Sequence, residues 1–277
     1  MGLPTFVITF RETLEAALVV GIILVYLIKT ENTKYNKFVW GGTFSAIVGS
    51  GVAAFLFSRF AGGFTGATEQ IFEGATMFAA ALLLTTMIFW MLKQKHLIAE
   101  HIRAQLSKHI EMEYEIGIFA LAFVMVLREG VETVIFLNAT AFIGQFDFLS
   151  GILGIIVAVG LGFVIFAGIK RIDLKNFFSV TSVLLILFAA GLVAHGVHEF
   201  EEAGVVNPIK TPVYNINHIL DEKGVVGSFL KALFGYNGNP SLMEVLSYLG
   251  YIGLIAIVYY NFDKIFKIQQ PIATTSS

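Results

Sequence analysis

Two short stretches carry the residues best suited to chemistry. They are Arg11-Glu12-Thr13-Leu14-Glu15 and Arg128-Glu129-Gly130-Val131-Glu132, and both read Arg-Glu-x-aliphatic-Glu inside long apolar runs. Ionisable groups at such depth are costly in a membrane, so their default reading is functional. On a helix, Arg11 and Glu15 are four residues apart, as are Arg128 and Glu132, so each pair can bond along one face. Glu12 and Glu15, like Glu129 and Glu132, are three apart, which sets their carboxylates side by side. Two such helices face to face would hold four carboxylates and two guanidinium groups. The excess of about two negative charges needs a cation or protons to offset it in a low dielectric. An oxygen-only donor set suits hard cations. The competing reading is that each Arg–Glu pair merely ties helices together, which leaves the second Glu of each motif without a purpose.

Further candidates sit at the ends of apolar runs. Glu69 and Glu73 lie four apart where the third run opens. They read either as metal ligands or as acids favoured at a positive helix N-terminus. His195, His198, Glu199, Glu201 and Glu202 gather where the sixth run closes. They suit capture of a metal at an outer entrance, and equally a solvated helix end. The order His-x-x-His-Glu is not the His-Glu-x-x-His of zinc proteases. Gly160-x-Gly162 lacks the strand–turn–helix setting of a nucleotide loop. The mixed His, Lys, Arg and Glu of 101–109 read as a solvated helix, or secondarily as a regulatory metal site.

The elements that position these groups are membrane helices. Of 277 residues 56% are hydrophobic and only 14% charged, against about 25% charged in soluble domains. Seven apolar runs are near the length of about 20 residues that a span needs: about 4–28, 38–57, 70–92, 114–143, 151–169, 178–197 and 245–261. The expected fold is an all-α integral membrane protein, a single transmembrane domain over 1–277. No cysteine is present, which excludes disulfides, thiolate metal sites and iron–sulfur clusters. The first residues lack a basic segment, so a cleaved signal peptide is not expected. Glycines in the second and fifth runs (Gly41, Gly42, Gly49, Gly51; Gly151, Gly154, Gly160, Gly162) predict close helix approach.

Lys and Arg set the orientation. Twelve fall in one alternate set of connectors, from Lys29, Lys34 and Lys37 through Lys93, Lys95, Arg103 and Lys108 and then Lys170, Arg171 and Lys175 to Lys264 and Lys267. The other set holds only Arg59, Lys210, Lys223 and Lys231. The positive-inside rule then places the N-terminus outside and the C-terminus in the cytoplasm of a plasma-membrane protein. The motif recurs 117 residues on, once per three spans. Two repeats, about 1–92 and 114–202, are therefore expected in opposite orientations, followed by an extracytoplasmic connector over about 203–242 and one C-terminal helix. Inverted repeats commonly bracket a midplane site in transporters. Glu15 lies roughly 16 Å along the axis from Pro4, and Arg128 roughly 21 Å from Tyr114. Both motifs thus reach mid-membrane.

At these residues the sequence resembles the high-affinity iron permease family, which has two Arg-Glu-x-x-Glu motifs in a seven-span protein. The similarity extends to 214–251, including Asn217-His218-Ile219-Leu220, Ala232-Leu233-Phe234-Gly235-Tyr236 and Pro240-Ser241. Thr13 departs from the pattern, since many members have Gly there; Gly130 keeps it. The resemblance implies uptake of iron into the cytoplasm, with Arg11, Glu12, Glu15, Arg128, Glu129 and Glu132 at the motif positions and Glu69 with Glu73 matching a further acidic pair. It implies iron as transported substrate rather than as a resident cofactor, the bilayer as setting, and an extracytoplasmic oxidase or iron-handling protein as partner, with no role for nucleic acid. Some relatives are associated with lead, and manganese is an alternative cargo. An intramembrane metal-dependent hydrolase is the alternative from another class, disfavoured because catalysis has no need of a twice-repeated motif.

Overall fold

A computed structural model describes residues 2–94, 98–112, 114–144, 146–166, 174–222 and 224–261. Lys95, Lys170, Arg171, Lys223, Lys264 and Lys267 of the orientation pattern, and the expected end of the fifth run at Ile169, lie outside the described residues. The described chain is helical throughout its apolar runs, because a backbone without water must satisfy its own polar groups. In order the helices are α1 (Leu3–Lys29), α2 (Asn36–Ala61), α3 (Ala67–Gln94), α4 (Ile98–Glu111), α5 (Glu115–Phe142), α6 (Phe148–Phe166), α7 (Leu174–Glu202), α8 (Val225–Phe234) and α9 (Leu242–Tyr260).

This is an all-α membrane protein. Stretches of α2, α3, α6, α7 and α9 are long and apolar enough to cross a bilayer. Helices α1 and α5, of 27 and 28 residues, are no shorter but carry the motif charges. Most helices begin a few residues before the apolar runs do. Pro4 sits in the first turn of α1, where its missing N–H costs nothing. Asp147 precedes α6 and accepts from Ser150 Oγ (2.7 Å), the Gly2 N–H (3.1 Å) and the Leu149 N–H (3.1 Å). It caps α6 and fastens the start of α1 to it. The Ser150 hydrogen bond, then that of Gly2, holds its carboxyl below the usual range.

Packing partners exchange in pairs. Helix α1 packs most extensively on α6 and α2 on α5, while α3 packs on α7 and α1 on α5. Two apolar clusters show how α1 and α5 cross. One joins Ile8 of α1 to Phe136 and Ala139 of α5 and to Ile143 just beyond it, with α3 and α7 around them. The other joins Val20, Ile23 and Leu27 to Ile118, Ala122 and Val126, with Ile102 and Leu106 of α4 closing it. The early part of α1 thus meets the late part of α5, so the two run antiparallel. Residues 11–15 and 128–132 fall between the clusters. The connector expected to be a solvated helix is helical as α4, with one apolar face docked. The connector at 203–242 contains α8. On the outside of the bundle, Phe44, Ile47, Val48, Val52 and Phe55 of α2 and Ile155, Ile156, Val159 and Phe163 of α6 are exposed, the mark of a lipid-facing surface.

Two glycines permit the close pairs. A Cβ on Gly154 of α6 would stand 2.7 Å from the Phe6 carbonyl oxygen of α1, and one on Gly42 of α2 would fall on the Phe119 carbonyl oxygen of α5. Gly160 has nothing within 4 Å of its Cβ direction. Gly42→Val and Gly154→Val should therefore each destabilise the protein by about 1–3 kcal/mol, the usual cost of overpacking. Gly160→Val should not. Thermal melting of the detergent-solubilised variants measures the difference, and equal melting of all three would contradict this packing.

Candidate metal centre

The charged layer between the apolar clusters is built from α1 and α5. Their crossing places Arg11, Glu12 and Glu15 opposite Arg128, Glu129 and Glu132. Arg11 is fully buried, with Nη2 at 3.2 Å from Glu15 Oε1 and Nη1 at 3.5 Å from Glu12 Oε1. Met87 of α3 brings its Sδ to 2.8 Å from Arg11 Nη1. On α5, Arg128 Nε donates to Glu132 Oε1 at 2.9 Å and stands 3.8 Å from Glu129 Oε1. The spacing of four residues between Arg and the second Glu gives this face-on pairing in both helices.

Carboxylate oxygens of Glu12, Glu15 and Glu129 all lie within 4.8 Å of one another. Glu132 acts electrostatically on Glu12 and Glu15. One oxygen each of Glu12, Glu129 and Glu132 is shut off from solvent with no hydrogen-bond partner among the described residues. Buried carboxylate oxygens without donors are expensive. The arrangement therefore lacks positive charge at the point where the two helices meet, and a bound cation or protons supply it.

The matched sets are not matched in their surroundings. The Arg128 side chain is 43% exposed where that of Arg11 is 0%. Arg128 lines a cleft of about 290 Å³ with Glu132 and with Leu83, Thr86 and Met87 of α3. The layer is closed on the Arg11 side and open on the Arg128 side.

The outer candidates form a separate group. Glu69 is exposed and Glu73 half-buried at the start of α3, away from the motif cluster. Packing of α3 on α7 brings them near the end of α7, where Glu199 feels both, and Gln70 Nε2 donates to Glu202 Oε2 at 2.9 Å. His198 bridges Glu202 (Nε2 to Oε1, 3.2 Å) and Glu244 (Nδ1 to Oε1, 3.1 Å). His195 instead places Nδ1 at 3.2 Å from the Gly191 carbonyl of its own helix. Glu244 of α9 escapes a reading of apolar runs. It belongs to a capping box in which Ser241 Oγ accepts from the Glu244 N–H and Glu244 Oε1 accepts from the Ser241 N–H, and the Ser-x-x-Glu spacing is its signal. Met87 carries no sequence signal that separates it from other apolar residues.

A family model for the iron permease FTR1 family matches residues 2–263. The chain is 32% identical over 260 residues to a protein of Yersinia pestis named ferrous iron permease EfeU, covering 92% of each. It is 32% identical over 265 residues to a protein of the same name from Escherichia coli, covering 91% of this chain and 94% of that one. An uncharacterized protein of Archaeoglobus fulgidus is 33% identical over 271 residues, covering 94% and 95%. No solved structure matches the chain.

The unequal burial of the two arginines has a measurable consequence. Removing one partner of a buried ion pair typically costs about 3–5 kcal/mol. Arg11 is wholly buried with its glutamates, whereas Arg128 is itself 43% exposed above Glu129 and Glu132, so its removal lets solvent reach the carboxylates. Arg11→Ala should lower the melting temperature in detergent far more than Arg128→Ala. Equal losses would show that the two environments are alike.

Proposed function

The chain belongs to the iron permease FTR1 family, and from that premise we propose that it carries iron into the cytoplasm through a carboxylate site where α1 and α5 cross. The carrying observation is the meeting of Glu12, Glu15 and Glu129 oxygens within 4.8 Å, with oxygens of Glu12, Glu129 and Glu132 buried and without donors. Iron is the substrate here. Glu12, Glu15, Glu129 and Glu132 ligate it in passage, and Arg11 and Arg128 hold the carboxylates when the site is empty. Arg11 fits a static counter-charge, since it is buried against two glutamates. Arg128 fits a displaceable one, because it borders a cleft.

In this reading seven helices span the membrane: α1, α2, α3, α5, α6, α7 and α9. At about 1.5 Å per residue α1 and α5 extend some 40 Å, enough to cross despite their charges. Helices α1–α3 and α5–α7 form inverted repeats, supported by the antiparallel crossing of α1 and α5 and by the exchange of packing partners. The N-terminus faces outward and the C-terminus the cytoplasm, as the Lys and Arg distribution requires. Glu69, Glu73 and the acids and histidines that close α7 then line the outer entrance and attract the cation. An extracytoplasmic oxidase or iron-handling protein delivers iron there.

The test is uptake into proteoliposomes containing the purified protein, with ferrous, ferric, manganous and lead ions offered separately. Iron uptake should fall at least tenfold, about 1.4 kcal/mol or more in barrier, in a Glu15→Gln/Glu132→Gln variant that still inserts correctly. Uptake indifferent to both substitutions would place the route elsewhere. A preference for manganese or lead would keep the route and change the cargo.

A further inference from the structure

Where α7 ends against α9, a second set of ligand-type side chains meets outside the motif layer. Atoms of His198, Glu201 and Glu244 all lie within 4.8 Å of one another. We propose that these three residues form a second binding site, for a divalent first-row transition-metal cation, at the end of the bundle that bears Glu69 and Glu73. The site deepens the permease reading, on which it rests for its place in uptake, by giving the entering cation a defined stopping point before the midplane.

Its donor set differs from that of the midplane. One imidazole nitrogen with two carboxylates suits ferrous, manganous or zinc ions better than magnesium or calcium, which favour oxygen alone. The 3.1 Å between His198 Nδ1 and Glu244 Oε1 is close to the separation of two ligands sharing one ion at bonds of about 2.1 Å. The surrounding contacts orient the ligands as metal sites require. His198 Nε2 faces Glu202 Oε1 at 3.2 Å, and Gln70 holds the other Glu202 oxygen at 2.9 Å. A carboxylate on one ring nitrogen fixes the tautomer and turns the other nitrogen toward the ion. Glu244 is 3% exposed, and Asn237 Nδ2 donates to its Oε2 at 2.6 Å, so its carboxylate is already placed.

An independent observation points to a missing ligand. Oε1 of the partly buried Glu201 is shut off from solvent and has no hydrogen-bond partner among the described residues. A carboxylate oxygen in that position costs free energy until something positive meets it. Lys231, the lysine whose charge reaches His195, is committed to Glu222 at 2.6 Å, while Glu244, Glu202 and Glu199 place negative charge around His198. The alternative role of the His198–Glu244 contact is to dock α9 on α7 without any metal, and the two roles separate experimentally.

The probe is manganous ion added to the purified full-length protein in detergent, with bound ions counted by equilibrium dialysis and their ligands read by pulsed electron paramagnetic resonance. Two ions per chain are expected, one showing nitrogen coupling from an imidazole. His198→Gln should remove that coupling and one ion. Glu201→Gln should weaken the same site at least ~10-fold while leaving melting unchanged, since the substituted oxygen makes no hydrogen bond. It decides the matter if His198→Gln fails to fold. Glu15→Gln/Glu132→Gln should remove only the ion without nitrogen coupling. Bound manganese without nitrogen coupling, no bound manganese at all, or a nitrogen-coupled ion unmoved by Glu201→Gln would each overturn the site. A nitrogen-coupled ion that persists while uptake ignores Glu15 and Glu132 would refute the midplane route and leave this site standing.

Discussion

Everything in this bundle is arranged around a layer of buried charge in which carboxylates outnumber cations. Arg11 is fully buried and pairs with two glutamates on its own helix, yet Glu12, Glu129 and Glu132 still present oxygens without donors. Such a layer survives only if the apolar structure around it is strong enough to hold the carboxylates together against their repulsion. The two clusters on either side supply that hold. Ile8 with Phe136 and Ala139 clamps one end of the α1–α5 crossing, and Ile23 with Ile118 and Ala122 clamps the other. Under the proposed function these unfavourable electrostatics are what the passing cation relieves.

The glycines that let α2 lie on α5, and α6 on α1, serve the same end. Close backbone approach at Gly42 and Gly154 brings flanking helices onto the central pair without bulky side chains between them. In a membrane, where hydrophobic exclusion does not drive helices together, such packing is the main adhesive. The central pair is thereby surrounded by α2, α3, α6 and α7, and the lipid-facing residues fall on the outer faces of α2 and α6.

Chemically alike motifs in unlike surroundings give the layer a direction. Arg11 is enclosed by α1's neighbours and touches Met87, whereas Arg128 borders a cleft against α3. Under the proposed topology the open side is the cytoplasmic one, because Arg128 lies a turn nearer that face than Glu132. The proposed route then begins among the acids where α3 and α7 meet, passes the charged layer, and leaves beside Arg128. Helix α9 contributes Glu244 to the start of that route, which gives the last helix a chemical part beyond packing.

The sequence by itself determined the helical elements and the pairings within them. Apolar runs of membrane length fixed every long helix to within a few residues, since a backbone in lipid has no alternative to internal hydrogen bonds. Spacings of three and four residues paired Arg11 with Glu15 and Arg128 with Glu132, because those are contacts along one helix. Gathering of Glu69 and Glu73 with the end of α7 was legible as a shared face. What only the tertiary structure decided lies between helices: that Glu12, Glu15 and Glu129 converge, that Arg11 is buried where Arg128 is not, and that Glu244 reaches His198. Contacts within a helix follow from local periodicity, which sequence records. Contacts between helices depend on crossing geometry and on which glycine meets which backbone, and those arise only when the whole bundle packs.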